Sequence, residues 1–439
     1  MGNKLNFTDC LGFCIGQIVG SGIFVLTGIV MGLTGHGMPY AFILAAIISL
    51  LQLIPMAIMG SAMPATGGSY VYAKRLIGPR AGFVYLMIFV LSQVLIATFA
   101  LGFADYVQVI FPGVSTKVVA TLAILAAAGV NIIGLKTSAV VQKGMVALLL
   151  ISLGVYIIFG LPQVSWEMLT PTIDNLMPNG FLSFLQGATM LSFACGGAKF
   201  LAENGGEVEN PGKTIPRAMV VSTLIVAVFY ALVGVVAAGV LPLDQVAGQN
   251  ISVVAKDVFP APVYLFFVIG GAWFALLTTL NGTLSWVTRG LQRASFDGWL
   301  PKSWGKETKS GAPIYLLGFF VVVGLIPVLT GMDTTDIANM GTGCSKLSDL
   351  LMVYACFRLP DVLPEVYEKS TLKMAPGKLK AVMVLVFLVL GGTSAVSLSS
   401  LTGGQFLGMG VFIVIAIIVM LLRQKHFKDA DNFKANSKA

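Results

Sequence analysis

Lys199, Glu203, Lys346 and Asp349 stand in or at the edge of long apolar stretches of this chain. A charge at the centre of a bilayer helix costs about 2.5–3.5 kcal/mol on insertion scales, so it needs a task or a partner. Two glycine clusters are equally out of place. They read Ile18-Val19-Gly20-Ser21-Gly22-Ile23-Phe24 and Ser192-Phe193-Ala194-Cys195-Gly196-Gly197-Ala198-Lys199. Glycine costs a helix about 1 kcal/mol relative to alanine, and paired glycines permit unwinding. Unwound backbone offers N–H groups to an anion and carbonyls to a cation, and an amino acid zwitterion needs both. Close packing through small residues accounts for either cluster taken alone. Enzymatic chemistry is poorly supplied. Only His36 and His426 offer imidazole, the acids are scattered, and Cys10, Cys14, Cys195, Cys344 and Cys356 lack metal-ligand spacing. Neither a metal site nor a cofactor is expected.

The elements that must hold these residues are membrane helices. Of 439 residues, 56% are apolar and 10% charged, where a soluble domain has about 25% charged. Mean hydropathy is +0.90. Such a composition excludes a soluble core, a disordered chain and a disulfide-stapled one. Stretches without Asp, Glu, Lys or Arg run over 10–73, 81–104, 118–135, 144–166, 175–198, 218–243, 258–288, 310–332 and 381–422. A crossing takes about 20 residues, so the first and last stretches each hold two helices, broken at 32–39 and 397–404. Residues 337–357 form a further span despite Lys346 and Asp349, which makes twelve. The amino end lacks a short signal pattern, so its first apolar run is read as a retained helix.

With the amino terminus cytoplasmic, the inside segments collect 23 Lys/Arg, among them Lys136 and Lys143, and the outside loops two, Lys117 and Lys256. That imbalance is a strong positive-inside signal. The net charge of +8 therefore reads as topogenic and lipid-facing, not as a nucleic-acid surface. The glycine clusters fall in the first and sixth spans, which run in opposite directions. Matching interruptions in two halves are the sequence mark of an inverted-repeat transporter site.

Three motifs carry a resemblance over nearly the whole chain. They are Gly20-Ser21-Gly22-Ile23-Phe24, the loop from Gly206-Glu207-Val208-Glu209-Asn210-Pro211-Gly212-Lys213 to Arg217-Ala218, and the run from Asn281 through Arg289 to Asp297-Gly298-Trp299-Leu300-Pro301-Lys302. In these the sequence resembles the amino acid–polyamine–organocation superfamily of permeases. The resemblance implies an all-α integral membrane fold of five plus five inverted helices with two added. The repeats would cover 1–160 and 175–358, with the last two helices at 379–422 and a cytoplasmic tail at 423–439. It places the substrate carboxylate on amides around Gly20, Ser21, Gly22 and Ile23. It places the ammonium on carbonyls of Ile18, Phe193 and Gly196, beside Ala194 and Gly197. Phe193 would be an aromatic gate, and the side-chain pocket would draw on Ser92, Ile96, Phe99 and Thr283.

The charges depart from that pattern. Relatives with proton coupling carry a lysine on the fifth helix, where Leu149 stands here. Lys199 occupies a position that favours an acid in carriers of arginine and polyamines, so cationic substrates are not expected. Its passive reading pairs it with Glu203, one turn on, and its functional reading is coupling, gating or contact with a substrate carboxylate. Lys346 and Asp349 share a helix face, where they would neutralise one another or form a pair that opens with substrate or a proton. Glu203, Glu207 and Glu209 with Lys213 and Arg217 read as an inner-gate network. The expectation is an inner-membrane permease for a small neutral or acidic amino acid, monomeric or homodimeric. It would work by alternating access as an exchanger or proton-linked symporter. The alternatives are a sodium-coupled symporter and an amino-acid-sensing receptor.

Overall fold

A computed structural model describes residues 4–133, 135–308 and 311–428, with backbone only for Ser21 and 135–143. The side chains of Lys136 and Lys143, and the tail beyond 428, lie outside the described parts. Helix α1 (Phe7–Ile18) starts from a capping box in which Asn6 and Asp9 satisfy each other's backbone N–H. Capping of this kind relieves two of the unpaired amides at a helix start. At Val19 and Gly20 the helix stops, and α2 (Ser21–Phe24) and α3 (Leu26–Thr34) carry the chain onward. It turns at Gly35, whose φ of 55° is open to glycine at little cost, into α4 (Met38–Ala62). After α5 (Gly68–Leu76), α6 (Pro79–Ser92) and α7 (Leu95–Ile110) follow one another across a kink at Gln93 and Val94.

Next come α8 (Thr116–Ile133), α9 (Leu135–Gly160), the short α10 (Ile173–Leu176) and α11 (Gly180–Cys195). At Gly196 the chain bends by 41° into a 3-10 segment, Gly197–Glu203. Then follow α12 (Pro211–Gly239), α13 (Leu243–Val246) and α14 (Ser252–Val258). A long rod is built from α15 (Ala261–Phe266), a π-helical stretch over Phe267–Trp273, α16 (Phe274–Trp286) and α17 (Thr288–Phe296). The chain ends with α18 (Ile314–Thr330), α19 (Thr334–Val362), α20 (Pro364–Glu368), α21 (Pro376–Leu398) and α22 (Gly403–Arg423).

Nine helices among the described residues are long and apolar enough to cross a membrane, or ten if the bent pair at Gly196 is one span. The apolar α18 has 17 residues and falls just short, and the 29-residue α19 carries Lys346 and Asp349. The outer surface is apolar as well as the core. The crossing stretch of α22 is 11% buried, and it exposes Leu407, Val411, Val414, Ile418 and Leu421 outward. Inside lie Gln17, Gln52, Asn131, Lys199, Lys346 and Asp349. Apolar side chains face out because acyl chains cost them nothing, while polar groups find partners only in the interior. The broken helices sit at the centre. α1 packs on α12, α16 and the 3-10 segment, and α11 packs on α3 and α4.

Candidate substrate site at the two helix breaks

The two breaks lie directly against each other. A Cβ added at Gly22 would stand 2.2 Å from Ala194 Cβ, and one at Gly197 would stand 2.3 Å from the Gln17 carbonyl oxygen. At Gly20 it would meet Thr279 Oγ1 of α16 at 2.0 Å. The glycines therefore permit contact between the broken helices as well as the interruption of each. The packing reading and the unwinding reading describe the same residues.

Between the breaks is a small cavity of about 30 Å³, room for roughly two waters. Its wall takes Gln17, Ile18 and Gly22 from the first break, and Phe193, Ala194, Gly197 and Phe200 from the other. The α6–α7 kink adds Ser92, Gln93 and Leu95, with Phe99 one turn on; α16 adds Thr279, Thr283 and Trp286, and α19 adds Ser345. Phe200 stacks on Trp286 with ring centroids 3.7 Å apart, and the half-buried Phe193 also lines the cavity. Of the residues expected from sequence, Ile18, Gly22, Ser92, Phe99, Phe193, Ala194, Gly197 and Thr283 border this space. Gly20, Ile23 and Gly196 sit at the breaks but outside the wall, and the side chain of Ser21 lies outside the described parts. Ile96 points elsewhere: a Cβ at Gly324 of α18 would meet its Cγ2 at 2.5 Å. Counting from a distant motif, across the interruption at Gln93 and Val94, placed Ile96 on the wrong face.

The carbonyls expected to take an ammonium already accept one hydrogen bond each. Ile18 accepts from the Tyr230 hydroxyl at 2.8 Å, Phe193 from the Gly196 N–H at 3.0 Å, and Gly196 from the Lys199 N–H at 3.3 Å. A carbonyl oxygen has a second lone pair, so each retains capacity. Sequence reasoning overlooked Gln17. Its Oε1 accepts from Trp286 Nε1 at 2.7 Å, and its Nε2 is buried with no partner. A buried amide donor left unmade costs about 1–3 kcal/mol, and at a cavity wall it is a ready ligand for a carboxylate. A glutamine three residues ahead of the Gly20 cluster, in an apolar run, was the available signal.

The charged residues pair differently from expectation. Lys199 Nζ lies 2.8 Å from Asp349 Oδ2 and donates to Ser345 Oγ at 3.1 Å, so its partner is across the fold and not Glu203. Asp349 also accepts from Gln52 Nε2. Glu203 accepts from the hydroxyl and the N–H of Ser69, because α5 brings its first turn against the 3-10 segment. Lys346 makes no ion pair with Asp349; its Nζ donates to Ser192 Oγ at 2.7 Å. The expected inner-gate network is likewise redistributed. Glu207 faces Arg289 at 3.6 Å, and Arg217 lies over the Phe7 ring at 4.9 Å. Neighbours along a helix were the natural guess, but tertiary contacts won. Among the described residues no cluster of His, Cys, Asp and Glu could hold a metal.

Comparison with known proteins agrees with this architecture. A family model described as amino acid permease matches residues 5–433. The serine/threonine exchanger SteT of Bacillus subtilis is 29% identical over 67% of this chain and 67% of its own length. The branched-chain amino acid permease BcaP of the same organism is 25% identical over 94% of this chain and 91% of its own. A rabbit protein, the large neutral amino acids transporter small subunit 2, is 27% identical over 77% of this chain and 66% of its own. These relatives are transporters and not enzymes. A multi-pass helical body with one family match along almost all of it leaves a single conclusion, that this chain belongs to the amino acid permease family.

Proposed function

We propose that the protein carries a small neutral or acidic amino acid across the cell membrane by alternating access, as an exchanger or a proton-linked symporter. The observation that carries this reading is the apposition of the two helix breaks around one small cavity. In this reading α18 and α19 also cross the membrane. They bring the ten apolar spans to twelve, in a five-plus-five inverted repeat with α21 and α22 added and both termini cytoplasmic. The substrate carboxylate lies on the amides of Ser21, Gly22 and Ile23 and on Gln17 Nε2, and its ammonium on the carbonyls of Ile18, Phe193 and Gly196. Phe193 gates one end, and the stacked Phe200 and Trp286 close the other.

The relatives' names point first to serine, threonine and branched-chain amino acids. Beside the cavity the buried Lys346 has a hydroxyl and no carboxylate within ion-pair distance among the described residues, so cationic substrates are disfavoured by like charge. A thermal-shift screen of the twenty amino acids on purified protein should single out a small neutral or acidic one. Counterflow of that amino acid in proteoliposomes separates a transporter from a receptor. Binding without counterflow would overturn the proposal, and strong competition by arginine or putrescine would overturn the charge argument.

A further inference from the structure

α19 grips both halves of the bent helix with side chains one turn apart. Lys346 Nζ holds Ser192 Oγ at 2.7 Å, in the last turn of α11 before the Gly196 bend. Asp349 Oδ2 holds Lys199 Nζ at 2.8 Å, beyond the bend. The two grips are unequal. Asp349 and Lys199 form an ion pair that Gln52 and Ser345 complete. Lys346 is 1% exposed, yet one neutral hydroxyl is its whole hydrogen-bond complement and no carboxylate lies within ion-pair distance among the described residues. An ammonium has three donors, and a buried charge without a counter-ion is costly.

We propose that Lys346 is a proton-exchange site of the transport cycle, loaded and unloaded as the α11 half swings about Gly196. This rests on the transport reading above. When α11 moves, the Ser192 contact parts before the ion pair does. The freed ammonium passes its proton to water on one side of the membrane, leaving a neutral amine that recovers a proton from the other side. No other bond changes. The groups that act on Lys346 are Asp349 on its own helix, Cys195 on α11 and Lys199 on the 3-10 segment. From the helices packed on α19, α6 presents Tyr85, α4 presents the neutral Gln52, and α21 presents Thr393, Ser394 and Ser397. α5 carries Tyr70, Tyr72, Lys74 and Arg75, with Lys74 on Asp297 at 2.9 Å. α21 carries Lys380 on Asp361 at 2.8 Å, α20 carries Glu365 and Glu368, the latter on Lys373 at 2.6 Å, and α7 carries Asp105 toward its far end; Glu203, one turn beyond Lys199 on the 3-10 segment, is held by Ser69.

The test uses the full chain in proteoliposomes with labelled serine, threonine or leucine, whichever gives counterflow. An acidic outside should drive accumulation by the unmodified protein, with internal acidification read by a trapped pH dye. Lys346→Met should lose the gradient-driven accumulation and the dye signal while keeping counterflow. Retention of both by Lys346→Met would overturn the proposal, as would counterflow by the unmodified protein with no response to the gradient. Absence of counterflow for all twenty amino acids would instead sink the transport reading. If Lys346→Met fails to fold, Ser192→Ala removes the sole acceptor and keeps the amine. It should shift the pH of half-maximal uptake, and an unshifted profile would overturn the proposal.

Discussion

Lys74 and Lys346 are both buried lysines, and what surrounds them differs in kind. Lys74 Nζ meets Asp297 Oδ2 at 2.9 Å, and the same oxygen accepts the Tyr70 hydroxyl at 2.6 Å. The Asp297 carbonyl accepts the Lys428 N–H at 2.8 Å, and Trp299 packs on Phe427 with centroids 5.2 Å apart. A charge with a full set of partners thus fastens α5, the end of α17 and the segment after α22. Lys346 has a hydroxyl in place of a carboxylate. The contrast teaches that burial alone does not mark a lysine as structural. A matched counter-ion makes a fastening, and its absence leaves a group free to change state.

The largest effect should come from breaking the matched site. Lys74→Met removes one partner of a buried ion pair, a change that costs about 3–5 kcal/mol. Thermal unfolding in detergent should show a large fall in Tm. Lys346→Met should be near neutral or stabilising by the same reasoning, since a hydrophobic group replaces an unmatched charge. Equal Tm losses for the two variants would erase the distinction.

Asp349→Asn sharpens the comparison from the other side. It removes the carboxylate that Lys199 needs, again about 3–5 kcal/mol, and Lys199→Met added to it should recover most of the loss. Additive Tm shifts in that cycle would mean the two residues act independently.

A smaller effect concerns the break that carries no charge. Gly22→Ala forces a methyl into Ala194, and overpacking of this sort costs about 1–3 kcal/mol. A valine there, with more atoms to fit, would upset packing and not amide approach alone. Ala194→Gly in the same chain should restore both Tm and uptake; a Gly22→Ala variant with unchanged Tm would mean the breaks separate freely. Smallest in stability is Phe193→Ala, at a half-buried ring on the cavity edge. Transport should slow while Tm barely moves, and unchanged kinetics would remove Phe193 from the gate.

Much of this was legible in the chain alone. Apolar run length and missing charge marked the membrane helices, because a bilayer of fixed thickness imposes one length scale on every crossing. The glycine clusters marked the breaks, because interrupting a helix in lipid requires local backbone freedom. Lys199, Lys346 and Asp349 stood out as costly in such surroundings.

What the sequence could not supply was partnership. Lys346 and Asp349 look paired at three residues apart, and Lys199 and Glu203 at four. The tertiary structure instead joins Lys199 to Asp349, gives Glu203 to Ser69 and leaves Lys346 on Ser192. Nor does local pattern reveal that Ile96 lies against Gly324 and not at the cavity, or the route by which Gln17 reaches Trp286. Burial and helix breaks are properties of short windows, read from composition and spacing. Which charge meets which depends on how helices far apart in the chain pack, and in the interior that pairing decides whether a lysine fastens the fold or exchanges a proton.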